Sequence, residues 1–265
     1  MLTSMLSANS PAWLLVFARM GGLLGMNPLF ARRNVPAPVR AGLVFLMTAL
    51  IAPTVTVTGL PARDSLALVV AMLKELFVGF ACGYVFQIYY YMLFFAGDIL
   101  DTHFGMSMAK VFDPGTNIQM SVSGTLLNLL FVMYIFATDS HLLLIRIFAG
   151  SFQVLPAGAV VLGPDIWEYF IQLFISAFSM AIRLALPFVA AEFVLELSMG
   201  VLMKLIPQIH IFVINIQFKM LLGMLLLLAF AAPVASFTDN YMRLMLENLQ
   251  TAMAVLGGAS PGPAG

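Results

Sequence analysis

The chain has 265 residues, of which 62% are hydrophobic and only 9% are charged. Soluble domains are about half apolar and about a quarter charged, so a water-soluble fold could not cover this much apolar surface. The 12 basic and 12 acidic residues cancel to a net charge of zero, which excludes the strongly basic balance typical of nucleic-acid-binding proteins. The composition therefore predicts an all-α membrane protein.

Uncharged apolar runs predict seven helices in chain order. A helix needs about 20 apolar residues to cross the hydrocarbon core of a bilayer. The predicted helices cover 11–30, 40–59, 65–97, 122–138, 141–161, 166–203 and 211–236. The third and sixth are too long for one simple crossing, so we expect each to tilt, kink or fold back, and Pro187 interrupts the hydrogen bonding of the sixth.

The connections and the C-terminal region have their own signals. The basic, proline-rich loop 31–38 and the nearby Arg40 are expected on the cytoplasmic side, and the longest polar stretch is 98–121. Residues 237–250 carry apolar residues four apart, the pattern of an amphipathic helix. We expect a single membrane helical domain over 1–256 and a flexible tail over 257–265.

Several charged residues interrupt the apolar helices. Each costs about 2.5–3.5 kcal/mol near the middle of a membrane helix, so eight of them unpaired would cost roughly 20–28 kcal/mol. That exceeds the usual net stability of a fold, about 5–15 kcal/mol. Most of these side chains must therefore pair, line water, face partner subunits or lie outside the hydrocarbon core. They are Arg19, Lys74, Glu75, Arg146, Arg183, Glu192, Glu196 and Lys219.

The spacing of these charges suggests how they are used. Glu192 and Glu196 are four apart and share a helical face, where they could bind a cation or relay protons, or pair with Arg183, Lys204 or Lys219. Lys74 and Glu75 are adjacent and should contact two separate neighbours. Gly21 with Gly25, and Gly79 with Gly83, are spaced to let helix backbones approach closely.

The sequence gives little support for an enzyme function. Asp98, Asp101 and His103 form the nearest approach to a metal cluster, but a polar helix end or a contact surface accounts for them better. Ser121 and Ser123 lack the glycine that precedes a GxSxG nucleophile, and no phosphate-binding glycine loop occurs. We expect no catalysis, no metal and no cofactor.

The order and spacing of several motifs resemble the FliR family, membrane components of the bacterial flagellar type III export gate. The resemblance covers about 11–235. It is carried by four stretches: 17–43, with Arg19, Pro28, Pro36 and Arg40; 98–114, ending in Asp113-Pro114; 128–158; and 185–223, with PQIHIF at 207–212, Lys219 and Gly223.

This resemblance implies a structural, channel-forming subunit whose helices form bent hairpins in a hetero-oligomer with FliP and FliQ. It also implies contacts with FlhB and FlhA, passage of unfolded exported proteins, and a place in the bacterial inner membrane at the flagellar basal body. The loop between the central hairpins would plug the channel. The corresponding residues here are Gly105, Met106, Met108, Phe112, Asp113, Pro114 and Met120.

Two other functions remain as alternatives. A homologous subunit of a virulence type III secretion system would share the same motifs. A small-solute or ion transporter would instead use the buried charges Arg183, Glu192, Glu196 and Lys219. An intramembrane hydrolase using Ser123 or His103 is a remote third possibility.

Overall fold

The computed structural model describes residues 10–28, 35–55, 57, 65–107, 121–158, 160, 163, 165–206 and 211–258. Within them the chain forms eight α-helices and a 3₁₀ turn, Ala52–Thr54, which confirms the all-α prediction. The helices are α1 (Ser10–Met26), α2 (Ala37–Ile51), α3 (Ser65–His103), α4 (Val122–Ala137), α5 (Ser140–Val154), α6 (Asp165–Leu205), α7 (Ile211–Ala229) and α8 (Ala231–Leu256).

The long helices α3 and α6 are continuous. They have 39 and 41 residues, and at 1.5 Å per residue each is about 60 Å long, roughly twice the thickness of the hydrocarbon core. Neither folds back on itself, and α6 continues through Pro187. Helices of this length cannot lie wholly within the hydrocarbon core along the bilayer normal, so part of each must project beyond it or tilt strongly.

Helix α1 ends at Met26, two residues before Pro28, and not at residue 30 as expected. Three further predicted helices end earlier than expected, and proline accounts for each correction. The run predicted to reach residue 59 ends at Ile51, where Pro53 forces a 3₁₀ turn. The run predicted to reach 161 ends at Val154, because Pro156 restricts Leu155 to an extended conformation with φ −128° and ψ 91°. The third case is the last predicted helix, which divides in two.

The last predicted helix breaks at Phe230. Pro233 cannot donate a backbone hydrogen bond, and its ring would clash with the carbonyl of Ala229, four residues earlier. The chain bends by 63° between Ile214–Ala229 and Ala231–Leu256. Helix α8 then continues through the predicted amphipathic stretch to Leu256, so the expectation of a single helix over 211–236 is wrong at Phe230, where one helix ends and a second follows.

Three helical segments in the described part of the chain are long and apolar enough to cross a membrane. They are Ala37–Thr54, Ser65–His103 and Ile166–Leu205, and the number rises to five if the two bent pairs, α4 with α5 and α7 with α8, each count as one span. Between 22% and 39% of the residues in the three apolar windows are buried. Most of their apolar surface must therefore be covered by lipid or by other subunits.

The chain divides into two compact units. Unit 1 comprises Met1–Tyr89, Thr138–Ile175 and Leu244–Gly265, and unit 2 comprises Tyr90–Ala137 and Ser176–Arg243. Helices α3, α6 and α8 contribute residues to both units. Each unit has its own buried apolar residues, with Leu15, Leu23 and Tyr89 in unit 1 and Phe131 and Phe188 in unit 2.

In unit 1, glycines let α1 and α3 pack backbone to backbone. A Cβ atom added to Gly79 would lie 2.1 Å from the carbonyl oxygen of Arg19, and one added to Gly22 would lie 2.5 Å from that of Leu76. Of the predicted GxxxG pairs, Gly79 and Gly83 are at this contact. Gly21 and Gly25 are not, because Cβ atoms there would meet nothing within 4 Å.

In unit 2, glycines likewise let α3 pack closely against α4. A Cβ atom on Gly97 would lie 2.1 Å from the backbone nitrogen of Gly124. Gly223 of α7 leaves room for the ring of Phe104, which would lie 2.4 Å from an added Cβ. Phe104 also packs edge-on against Phe188, with ring centroids 6.3 Å apart.

Candidate functional site

A buried ion pair joins α1 and α3 in unit 1. Arg19 on α1 and Glu75 on α3 are 1% and 0% exposed, and the Arg19 Nε donates to Glu75 Oε2 at 2.6 Å. The second carboxylate oxygen of Glu75 accepts the backbone N–H of Gly158 at 2.9 Å. Both charges come from the predicted set of helix-interrupting residues, and burial leaves neither in contact with water.

The rest of the Arg19 guanidinium binds the C-terminal end of α5. Its Nη2 donates to the carbonyl oxygen of Leu155 at 3.0 Å, and its Nη1 donates to Ser151 Oγ at 3.3 Å. The guanidinium carbon also lies 4.0 Å above the centre of the Phe152 ring, a cation–π contact. Arg19 therefore ties α1, α3 and the end of α5 together, with its charge matched by Glu75 and by the Leu155 carbonyl at the C-terminus of α5.

Lys74 has a different partner from its neighbour Glu75. Its Nζ donates to the backbone oxygen of Val160 at 3.3 Å, whereas Glu75 turns to Arg19. Adjacent residues point about 100° apart on a helix, so both α3 charges reach the segment that follows α5 by separate routes. The structure brings these three predicted charges into one region of unit 1.

In unit 2, Asp101 joins the two ends of the long polar loop. It is 1% exposed and lies on the last turn of α3. Its Oδ2 accepts the hydroxyl of Ser121 at 2.8 Å and the N–H of Val122 at 2.6 Å, and its Oδ1 accepts the N–H of Ser123 at 3.1 Å. A carboxylate thus binds the free N–H groups at the start of α4, where the helix dipole favours negative charge.

Ser121 caps α4 at the same place. Its Oγ accepts the N–H of Gly124 at 2.9 Å, and its carbonyl accepts the N–H of Thr125, the pattern of an N-cap residue. We name Asp101, Ser121, Val122 and Ser123 the loop-base cluster. Sequence reasoning treated Asp101 only as part of a possible metal site or helix end and Ser121 as a weak nucleophile, so it missed this role.

The loop residues predicted as a plug are only partly described. Gly105 has a positive φ of 74° just after α3, a conformation that favours glycine, and a Cβ atom there would lie 3.8 Å from Ile216. Met106 follows it and is half-buried. Met108, Phe112, Asp113, Pro114 and Met120 lie outside the described residues.

The charges predicted on α6 and α7 also belong to unit 2. Lys219 Nζ lies 3.4 Å from Glu196 Oε1, and the side chain of Glu196 is 58% exposed. Glu192, on the same face, is buried, and neither of its carboxylate oxygens has a hydrogen-bond partner among the described residues. Arg183 is exposed on α6. The structure therefore pairs Glu196 with Lys219, while this part of the chain offers Glu192 no matching donor.

Features of an enzyme site are sparse in the described part of the chain. No group of three or more His, Cys, Asp and Glu side chains there is arranged to hold a metal ion. A groove of about 480 Å³ in unit 1 is lined mainly by aromatic and aliphatic side chains, including Phe77, Phe80, Tyr84 and Trp167. Its wall lacks the convergent polar groups that orient a small substrate.

Comparison with known proteins shows to which family the chain belongs. The model for bacterial export proteins, family 1, matches residues 10–245, which include α1 to α7, the buried ion pair and the loop-base cluster. The chain belongs to the bacterial export proteins, family 1. The family's span on this chain ends inside α8, so it covers all of unit 2 and leaves residues 1–9 and 246–265 of unit 1 outside.

Several curated proteins resemble the chain over most of its length. The flagellar biosynthetic protein FliR of Bacillus subtilis is 27% identical over 250 residues, which cover 93% of this chain and 96% of the relative. That of Escherichia coli is 28% identical over 243 residues, covering 89% and 93%. The Yop proteins translocation protein T of Yersinia pestis is 26% identical over 222 residues, covering 82% and 84%.

Proposed function

We propose that the chain is a structural, channel-forming subunit of the bacterial flagellar type III protein export gate. The observation that carries this proposal is similarity along nearly the whole length of proteins named flagellar biosynthetic protein FliR. It takes part in the export of flagellar components and in flagellum assembly. It catalyses no chemical reaction and acts by shaping a passage.

The distribution of apolar surface supports a role inside a larger assembly. Large apolar side chains on the candidate spans are exposed, among them Leu50 at 63%, Leu66 at 72% and Trp167 at 70%. Surfaces of this kind are covered either by lipid or by apolar faces of other subunits. The proposed partners are FliP and FliQ in the gate itself, with FlhB and FlhA beside it, in the inner membrane at the flagellar basal body.

The loop-base cluster supports a closing role for the loop that it carries. Asp101 fixes the end of α3 to the start of α4, so the intervening segment leaves and returns at one defined place. We assign the segment 105–120 to the blocked state of the passage, with Gly105 and Met106 at its start and Met108, Phe112, Asp113, Pro114 and Met120 within it. Methionine side chains are flexible and polarizable, which suits a seal that must open for varied substrates.

Co-purification in mild detergent tests the assembly. The tagged full chain, extracted from its own host, should bring FliP and FliQ with it, and the mass of the complex should exceed that of a single chain. Deleting the gene should abolish filament assembly and swimming. A homogeneous single chain that transports a small solute in vesicles would overturn the proposal in favour of a transporter.

The second candidate is the equivalent subunit of a virulence secretion system, which the similarity to the Yersinia protein favours. The same gene deletion separates the two functions. Loss of swimming with normal effector secretion supports the flagellar gate, whereas loss of effector secretion with normal swimming supports the virulence system.

A deletion of 106–119 tests the closing role. Because the loop-base cluster lies outside the deleted segment, we expect the complex still to assemble but the membrane to leak small solutes. The matched control replaces the same 14 residues by a glycine-serine segment of equal length, which restores chain length without apolar side chains. Normal permeability in an assembled deletion variant would contradict the closing role.

A further inference from the structure

A small cavity lies between α1 and the first turns of α2. It has a volume of about 180 Å³, and its walls include Gly21, Leu24 and Gly25 of α1 and Arg40 and Val44 of α2. The two glycines keep it open, because a Cβ atom at either position would meet nothing within 4 Å. The space holds several water-sized groups.

Arg40 is the one charged residue among those that line this cavity in the described part of the chain, and nothing there matches its charge. Its Nε is buried and has no hydrogen-bond partner. The other lining residues are glycine, alanine, leucine and valine, none of which carries a side-chain acceptor. Arg19, by contrast, donates hydrogen bonds to Glu75 and to two further acceptors. Arg40 is thus a half-buried arginine whose Nε has lost water without gaining an acceptor among the described residues, which favours an anion brought from outside.

The sequence around the cavity supplies no such anion. Residues 1–63 contain five arginines and no aspartate or glutamate, and the first acidic residue is Asp64. Arg40 is the fourth residue of α2, at one end of the candidate span Ala37–Thr54. The end of a span lies at the depth of lipid headgroups, where basic pockets between helices bind anionic lipids.

We propose that this cavity binds the phosphate of an anionic phospholipid. The planar guanidinium of Arg40 presents Nε–H and an Nη–H as a fork that matches two phosphate oxygens. Farther along α2, Phe45, Leu46 and Leu50 are 62%, 53% and 63% exposed. They offer an apolar surface for the acyl chains, which a free phosphate ion would not use. This inference needs only a membrane location and does not depend on the export function.

Native mass spectrometry of the full chain, released from detergent together with any subunits that accompany it, tests the proposal. The probes are phosphatidylglycerol, phosphatidylcholine and inorganic phosphate, each added at equal concentration. Arg40→Gln should weaken phosphatidylglycerol binding about five-fold, the loss expected for one basic residue near a membrane surface. Gly25→Leu should weaken it to a similar extent by filling the cavity while Arg40 stays in place.

Two matched variants control for general effects. Arg146→Gln removes an exposed arginine from α5, and Gly150→Leu enlarges a glycine on the same helix whose Cβ position is equally open. Both should bind phosphatidylglycerol as the unaltered chain does.

Three results would overturn the proposal. The first is unchanged phosphatidylglycerol binding by both Arg40→Gln and Gly25→Leu. The second is inorganic phosphate binding or competing as well as the lipid, which would make the site one for a free anion. The third is that Arg40→Gln releases a companion subunit while lipid binding is unchanged, which would make the anion a carboxylate of that subunit.

Discussion

The buried ion pair of unit 1 offers the sharpest test of how the chain uses its charges. Replacing Glu75 by leucine removes the carboxylate that accepts Arg19 Nε at 2.6 Å and leaves the guanidinium 1% exposed. Breaking a buried pair by removing one partner costs about 3–5 kcal/mol, because the remaining charge is neither hydrated nor matched. We expect Glu75→Leu and Arg19→Leu each to lower the free energy of unfolding by that amount.

The double variant separates the ion pair from the packing around it. Arg19→Leu with Glu75→Leu leaves no unmatched charge, although the carbonyl of Leu155 and the N–H of Gly158 lose their partners. Each of those losses costs about 1–3 kcal/mol, so the double variant should be less stable than the unaltered chain. Its loss should nevertheless be smaller than the sum of the two single losses by at least about 1.5 kcal/mol, the lower end of measured couplings between close charges.

The assay is equilibrium unfolding of the purified chain by SDS titration from a mild detergent, read by tryptophan fluorescence. Glu247→Gln, which removes an exposed carboxylate on α8, serves as a control and should change stability by less than about 0.5 kcal/mol. Additive losses, equal to the sum of the single variants within about 0.5 kcal/mol, would refute the claim that Arg19 and Glu75 are energetically coupled.

Three further predictions concern unit 2 and use the same assay. Asp101→Ala should lower the free energy of unfolding by about 3 kcal/mol, since it removes acceptors from three donors at the start of α4. Ser121→Ala should lower it by only about 1 kcal/mol, the cost of a lost N-cap. Equal losses for the two variants would argue against the loop-base cluster. Gly97→Ala should cost about 3 kcal/mol because its Cβ would lie 2.1 Å from a backbone nitrogen, whereas Gly200→Ala, with open space at Cβ, should be neutral or stabilising. Lys219→Gln should cost less than about 1 kcal/mol, because Glu196 is more than half exposed, and a larger loss would mean that this pair is better shielded than its exposure indicates.

The helices were predictable because an apolar run of about 20 residues, in a chain with so few charges, is typical of a membrane helix. What sequence reasoning misjudged was the effect of single prolines. Pro53, Pro156 and Pro233 each end or bend a helix where hydropathy alone continues, whereas Pro187 lies inside α6 without ending it. The hydropathy of a segment does not record whether neighbouring groups can accommodate a missing hydrogen bond, so these outcomes depend on the folded surroundings.

The charged residues were predictable as a set but not as pairs. Their cost in an apolar helix indicated that Arg19 and Glu75 need partners, but 56 residues separate them and no spacing rule connects them. The loop-base cluster was missed for the same reason, since Asp101 and Ser121 meet only when α3 packs against α4. A signal was present in the serine that precedes the apolar run of α4, because serine is a preferred N-cap residue.

Five of the charged residues with buried polar atoms fall into two groups with different consequences. Arg19, Glu75 and Asp101 find their hydrogen-bond partners within the chain, and each joins elements that are distant in sequence, so these residues determine how the individual units fold. Arg40 and Glu192 have buried polar atoms without partners among the described residues. Burying such groups costs free energy that the described part of the chain does not recover. The simplest physical reason for retaining them is a contact that forms only in the membrane or in an assembly, and lipid phosphate for Arg40 and a donor from a neighbouring subunit for Glu192 would each supply the missing partner.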